Sequence, residues 1–353
     1  MLRRLSEADG VSGYEQEVRE IVLAEFGRFA DQVRVDTLGN VIALKRGIGL
    51  EPRPSLLIAT HMDEIGLIVS DIEEGFLHFH QVGGYDDRVL LGQEVRVHGR
   101  RTLPGIIGAR PPHVLPAAER DKPIPSDKLL IDVGLSADEI GQWVRVGDLV
   151  TMNRKLVEMK GGLVAGKALD NRASVAASAV CLEALTRMHH QWDVIAVATV
   201  QEEMGYKGAI TSIYGLEPDV GIALDVTFGK QPGTPDEYTH DLGKGPVFAM
   251  GPNFHPKLQK ALEEEAKRME IPYDLEPDPR PGGTDAFAIQ ITREGIPAGL
   301  IGIPLRNMHT PVETVSVKDV ERTGRLLAGF ISGLDGEFMT SLAWDLGLED
   351  GEE

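Results

Sequence analysis

Four short apolar runs in this sequence lead into side chains that can hold a metal or move a proton. Residues 55–60 run into His61-Met62-Asp63, residues 194–200 into Gln201-Glu202-Glu203, and residues 220–224 into Asp225. Residues 298–303 lead through a loop to Arg306-Asn307-Met308-His309. A fifth candidate, Asp170, lies in Ala168-Leu169-Asp170-Asn171-Arg172, where a helix is expected to begin. Imidazole mixed with carboxylate suits zinc, cobalt or manganese better than calcium, which takes oxygen alone. Cys181 is the single cysteine, so a zinc site built from cysteines is excluded. Any metal must be held by His, Asp and Glu.

Two cations roughly 3.5–4 Å apart need a bridging ligand, and a carboxylate serves well. Asp170 is assigned as the bridge. His61 and Asp225 complete the ligands of one cation, Glu203 and His309 those of the other, leaving each an open place for a shared water. Glu202 and Glu203 are neighbours, and neighbours in an extended chain point to opposite sides. With Glu203 on the metal, Glu202 is free to accept the proton of the water, whose pKa a cation lowers from about 15.7 towards about 7. Asp63 lies two residues from His61, on the same side of an extended segment, and can orient its ring. The chemistry this set performs is metal-assisted hydrolysis of an amide. Other chemistries lack their residues: there is no G-x-S-x-G elbow, P-loop or H-E-x-x-H segment. Cys181 sits in an apolar stretch without thiolate-favouring neighbours. Glu202 and Glu203 do not make the spaced carboxyl pair of a glycosidase.

The elements that must place these groups are readable from periodicity. The four apolar runs suit buried strands of a parallel sheet, and helical patterns at 171–188, 255–270 and 316–334 can cover it on both faces. Alternating strands and helices argue for an α/β, doubly wound core. Ser12-Gly13-Tyr14-Glu15 has the spacing of a capping box, so a helix is expected over 14–29, followed by a hairpin of 33–35 with 41–44. From about 69 to 160 the pattern changes to short β segments broken by Gly and Pro, with 77–80, 95–97, 129–131 and 143–146 among them. The expected organisation is a discontinuous α/β domain, 1–68 with 161–353, and an inserted small β domain, 69–160. The loop 113–127 should be exposed, His189-His190 should lie on the surface, and 345–353 reads as a frayed acidic tail. Gly282-Gly283-Thr284-Asp285 is either a tight turn or a source of backbone donors.

Composition narrows the partners. The 353 residues carry 36 Lys plus Arg against 55 Asp plus Glu, a formal charge of −19. Such a polyanion disfavours nucleic acid and anionic lipid. No apolar run approaches the ~18 residues of a membrane span. The N-terminus turns acidic at Glu7 before any signal-peptide core appears, and with one cysteine the expected location is cytoplasmic.

Taken together, His61-Met62-Asp63-Glu64-Ile65-Gly66, Ala168-Leu169-Asp170-Asn171-Arg172, Gln201-Glu202-Glu203-Met204-Gly205, Ala223-Leu224-Asp225-Val226-Thr227, Gly282-Gly283-Thr284-Asp285-Ala286 and His309-Thr310-Pro311-Val312-Glu313 resemble the motifs of M42 family metallo-aminopeptidases. The likeness runs from Gly10 to about residue 334. It implies a doubly wound mixed sheet of the zinc-peptidase type, two divalent metal ions per subunit, and peptide substrates shortened from their N-termini. It also implies the ligand set His61, Asp170, Glu203, Asp225 and His309, with Glu202 as general base and Asp63 supporting His61. By the same resemblance the β insertion is a PDZ-like dimerisation domain, and dimers can assemble into a hollow dodecamer. One departure is visible: Arg306-Asn307 stands where the family often has Arg-Tyr, which bears on substrate preference. Two other readings stay open, a metal-dependent deacylase of N-acyl amino acids and a non-catalytic scaffold of the same fold.

Overall fold

The computed structural model describes residues 1–117, 122, 124–280 and 282–344. Its centre is an 11-stranded mixed sheet. The middle of the sheet holds the four apolar runs, in the order Asp193–Thr199, Ser55–His61, Val220–Phe228, Ala298–Arg306. These four are mutually parallel, with Thr199 opposite His61, Ala223 opposite Ala59, and Asp225 opposite Gly302. Their carboxyl ends therefore share one edge. The hairpin Gln32–Val35 with Val41–Lys45 extends the sheet on one side. Antiparallel strands Glu313–Ser316, Leu163–Gly166 and Val157–Glu158 extend it on the other.

Both faces of the central strands are buried, which is why their sequences are continuously apolar rather than alternating. Leu56 and Ile58 face a core shared with Val22, Phe26, Leu182 and Leu326, under helices Gln16–Phe26, Leu169–Leu185, Pro256–Arg268 and Val317–Gly333. Leu57 and Ala59 face the opposite core with Ala209, Ile213, Ala286 and Ile289, under helices Lys207–Leu216 and Asp285–Ile291.

A second sheet closes on itself as a barrel of six strands: Gly66–Glu73, Phe76–Val82, Leu129–Asp132, Thr102–Ala109, Glu94–His98 and Leu149–Met152. Its core is separate, built on Leu67, Leu77, Val95, Val97, Ile107, Ile131 and Val150. Alternation is clean here: in Thr102–Ala109, Leu103, Gly105 and Ile107 point in while Thr102, Pro104 and Ile106 are exposed.

Several local expectations need correction. Residues 143–146 are not a strand. The amides of Trp143 and Val144 both donate to Ile140 O at 2.9 Å, finishing the short helix Ala137–Ile140, so no ladder can form. The Arg101 guanidinium lies 3.9 Å over the Trp143 ring. The helix expected over 14–29 begins at Gln16 without a side-chain cap, after a first helix Leu2–Glu7, so Ser12 and Glu15 do not form a capping box. His190 is buried rather than surface, its Nδ1 2.8 Å from Trp192 O. Residues 113, 114, 116 and 117 are exposed; 118–121, 123 and the acidic tail 345–353 lie outside the described residues. Among the described residues no helix is long and apolar enough to cross a membrane.

Candidate metal centre

Parallel strands deliver their ligand-bearing ends to one edge of the sheet. His61 is the last residue of its strand, Asp225 lies in Val220–Phe228, and Glu202-Glu203 follow Asp193–Thr199. His309 comes from the loop after Ala298–Arg306, and Asp170 from the first turn of Leu169–Leu185. The structure brings all of these together around a cavity of about 320 Å³, whose remaining walls are Gly205, Tyr206, Val226, Gly283, Thr284 and Met308. Asp170 lies between the two imidazoles. His61 Nε2 is 3.1 Å from Asp170 Oδ1, and His309 Nε2 is 3.4 Å from Asp170 Oδ2. His61 Nε2 is also 3.8 Å from Asp225 Oδ1 and 3.8 Å from Glu202 Oε2, and His309 Nε2 is 3.8 Å from Glu203 Oε1.

Among the described residues, side chains that could hold one cation form three groups, each with its offered atoms within 4.8 Å of one another: His61, Asp170 and Asp225; Asp170, Glu203 and His309; and His61, Glu202 and Glu203. The donor set fits a transition-metal ion. Tetrahedral bonds of about 2.1 Å place ligand atoms ~3.4 Å apart, within the range of the separations above. The charge balance fits as well. His61, Asp170, Glu202 and Asp225 are buried, and among the described residues no Lys or Arg lines the cavity. Burial and the neighbouring carboxylates push Glu202 and Asp225 well above the carboxylate range, and Glu203 up to about 7. Burial pulls His61 down, but Glu202, Asp170, Asp63 and Asp225 together hold it well above its ordinary value. Hydrogen bonding to Asp170 raises His309 to about 9. Asp170 itself is held well below the usual range by both histidines, against its burial. An acid-rich pocket of this kind is neutralised by cations or by protons.

The family model of the M42 glutamyl aminopeptidase matches residues 39–326. This chain belongs to the M42 family. It is thus an aminopeptidase, a hydrolase acting on peptides. It is 38% identical over 343 residues to the lysyl aminopeptidase of Pyrococcus furiosus, covering 95% of this chain and 96% of that one. The TET aminopeptidase of a marine sediment archaeon of the Thaumarchaeota superposes with a TM-score of 0.90 at 37% identity, covering 97% of this chain and 98% of that one. The TET1 peptidase of Pyrococcus horikoshii, which can assemble into a tetrahedron or a large octahedral shell, gives 0.81 at 32% identity over 94% and 98% of the two chains.

Around the M42 centre a set of buried groups ties the ligands to backbone. Asp63 Oδ1 lies 3.5 Å from His61 Nδ1 and accepts from Glu202 N at 3.0 Å, while its Oδ2 accepts from Glu203 N at 3.2 Å and from the Ser12 hydroxyl. Glu15 accepts from Gln201 N at 3.2 Å and from Gly13 N at 2.5 Å. Ser12 and Glu15, spaced like a cap, therefore serve the loop that carries Glu202 and Glu203. Beneath the site, Lys167 Nζ lies 2.8 Å from both Glu64 oxygens, and Arg172 Nη2 lies 3.3 Å from Glu64 Oε1. Residues 282–284 form the tight turn that the sequence allowed. Gly282 and Gly283 take φ of 106° and 146°, Thr284 caps the helix Asp285–Ile291 by accepting from Ala286 N, and Gly283 and Thr284 line the cavity.

Two buried acids were missed as site groups by the sequence reading. Asp285 accepts from Thr199 Oγ1 at 2.6 Å, and burial raises it to about 6. Glu313 is 2% exposed and accepts from the amides of Asp170 and His309. The available signal was its position, four residues after His309 at the start of a strand. Asn307 does not line the cavity: it is exposed and its Nδ2 donates to Val312 O at 3.2 Å.

Proposed function

We propose that this chain is a two-metal aminopeptidase that removes N-terminal residues from short peptides. The reading is carried by Asp170, whose two oxygens each face a histidine from a different strand end, at 3.1 and 3.4 Å. One cation would be held by His61, Asp170 and Asp225, the other by Asp170, Glu203 and His309. Imidazole with carboxylate favours zinc, with cobalt or manganese as substitutes. When bound, the two ions polarise the scissile carbonyl and make a water acidic enough for a carboxylate to deprotonate. Glu202 takes that proton and returns it to the leaving amine. Asp63 fixes the His61 ring and, through two amides, the backbone that presents Glu202 and Glu203.

The domain reading follows the same line. Residues 1–68 with 161–353 form the catalytic unit, and 69–160 form an inserted PDZ-like domain that pairs subunits. The barrel strands run from Gly66 to Met152, near these bounds, while Val157–Glu158 pairs in the central sheet. Subunits pair and build a closed shell, a dodecamer or similar, as the TET1 relative does, in the cytoplasm.

The test is a panel of aminoacyl p-nitroanilides and their N-acetylated counterparts, assayed with zinc, cobalt and manganese in turn. Hydrolysis of the free-amine substrates is expected. Preference for the acylated compounds would replace this reading with a deacylase. Failure to retain stoichiometric metal after dialysis would point to a scaffold.

A further inference from the structure

Asp170 and His309, two of the residues proposed to hold the second cation, share one support. His309 sits in a loop at φ 59°, and Asp170 follows Ala168 at φ 55°, so both stand at or beside left-handed turns. Glu313 begins the strand Glu313–Ser316, paired so that it lies opposite Gly166, four residues before Asp170. From there one carboxylate oxygen, Oε2, accepts from Asp170 N at 3.0 Å, and the other, Oε1, accepts from His309 N at 2.9 Å. Both partners are donors. An amide in the same place would turn its NH2 towards one of them, so only a carboxylate offers an acceptor to each. Burying this charge beside Asp170 is costly, and it is tolerated only where both oxygens are used.

We propose that Glu313 is a positioning residue for the metal centre: by bridging the amides of Asp170 and His309 it sets the spacing of these two ligands, and so the affinity of the site formed by Asp170, Glu203 and His309. The site formed by His61, Asp170 and Asp225 shares only one of the two tied residues and depends on Glu313 less. The inference rests on the two-metal reading, and the experiment separates the two.

Metal-free full-length protein and the Glu313→Gln variant are titrated with cobalt(II) alone, following visible absorption and heat. Wild-type protein is expected to take up two ions. Glu313→Gln should keep one near wild-type affinity and bind the other roughly 10- to 100-fold more weakly, the usual loss when a partner behind a ligand is removed. If Glu313→Gln cannot be folded, Glu313→Asp, which keeps the charge but cannot span both amides, should show the same selective loss. If wild-type protein binds no cobalt, the two-metal reading fails. If wild-type protein binds two and the variant binds both equally well, or weakens both to the same degree, the positioning role is refuted.

Discussion

Replacing Glu202 with glutamine separates proton transfer from metal binding. The side chain is 9% exposed, and its Oε2 lies 3.8 Å from His61 Nε2. Its backbone is held independently, by donation of Glu202 N to Asp63 Oδ1 at 3.0 Å. Glutamine keeps the size and one acceptor oxygen but cannot take a proton. Loss of a general base costs about 10²- to 10⁴-fold in kcat, or roughly 3–5 kcal/mol at about 1.36 kcal/mol per tenfold. Because Glu202 belongs to neither proposed ligand set, metal content by elemental analysis should stay at the wild-type value, and KM should change little. The metal-free variant should melt no lower than metal-free wild type, because the substitution removes a buried acid that repels Asp225, Asp285 and Glu203. The geometry contains its own rival: Glu202 also groups with His61 and Glu203 as possible ligands of one ion. If Glu202→Gln loses a metal together with activity, that grouping is the real one. If it hydrolyses peptide p-nitroanilides at the wild-type rate, Glu202 is not the base.

Three further outcomes follow from the same structure. In metal-free protein Glu203 is raised to about 7, Asp285 and Glu15 to about 6, and His309 to about 9, each with burial or an adjacent carboxylate as cause. A group whose folded value is raised supports the fold below its unfolded value and loses that support as pH rises through the folded one, so the metal-free melting temperature should fall between about pH 5 and about pH 9; a rise over that range contradicts the assignment. Lys167→Met leaves Glu64 with Arg172 as its remaining charged partner and should cost about 3–5 kcal/mol in denaturant unfolding; a change under about 1 kcal/mol would mean that Arg172 suffices. Asp63→Asn removes one of the acceptors for the Glu202 and Glu203 amides and should weaken metal binding about 10- to 100-fold, read by competition with a chelator; unchanged affinity would remove Asp63 from the support of the site.

The sheet was legible because its strands are buried on both faces. Residues 55–60, 194–200, 220–224 and 298–303 are unbroken apolar runs, and each lies within or overlaps a strand of the central sheet. Strand ends then pointed to His61, Glu202, Glu203 and Asp225 with no knowledge of distance. Less legible was what depends on backbone conformation. Ala168, Gln201, Tyr206, Asn307 and His309 all take φ between 53° and 59°, and all flank or belong to the cluster. Asn and His are enriched in such turns, but Ala, Gln and Tyr do not announce them. The misread cap at Ser12 and Glu15 has the same origin. The S-x-x-E spacing is real, but these side chains are claimed by Asp63 and by the Gly13 and Gln201 amides, contacts between segments that spacing cannot foresee. The mistaken strand at 143–146 failed for a local reason, since its first amides complete a preceding turn.

The supports share a pattern that gives the acids behind the ligands a physical role. His61 is followed two residues later by Asp63, and His309 four residues later by Glu313. Each of these carboxylates accepts two backbone amides, and in each case at least one amide belongs to a proposed ligand residue: Glu203 for Asp63, Asp170 and His309 for Glu313. Each histidine-bearing strand end therefore supplies a proposed ligand and, close by in sequence, a clamp for a proposed ligand from elsewhere. Asp63 holds the 202–203 backbone that follows a different strand, and Glu313 holds the start of a helix. Cross-ties of this kind make the position of any one ligand depend on the pairing of several strands. Ligand geometry is then set by the fold as a whole rather than by the loops, and a one-residue slip in the pairing of Leu163–Gly166 with Glu313–Ser316 would turn Glu313 to the opposite face of the sheet and release Asp170 and His309 together.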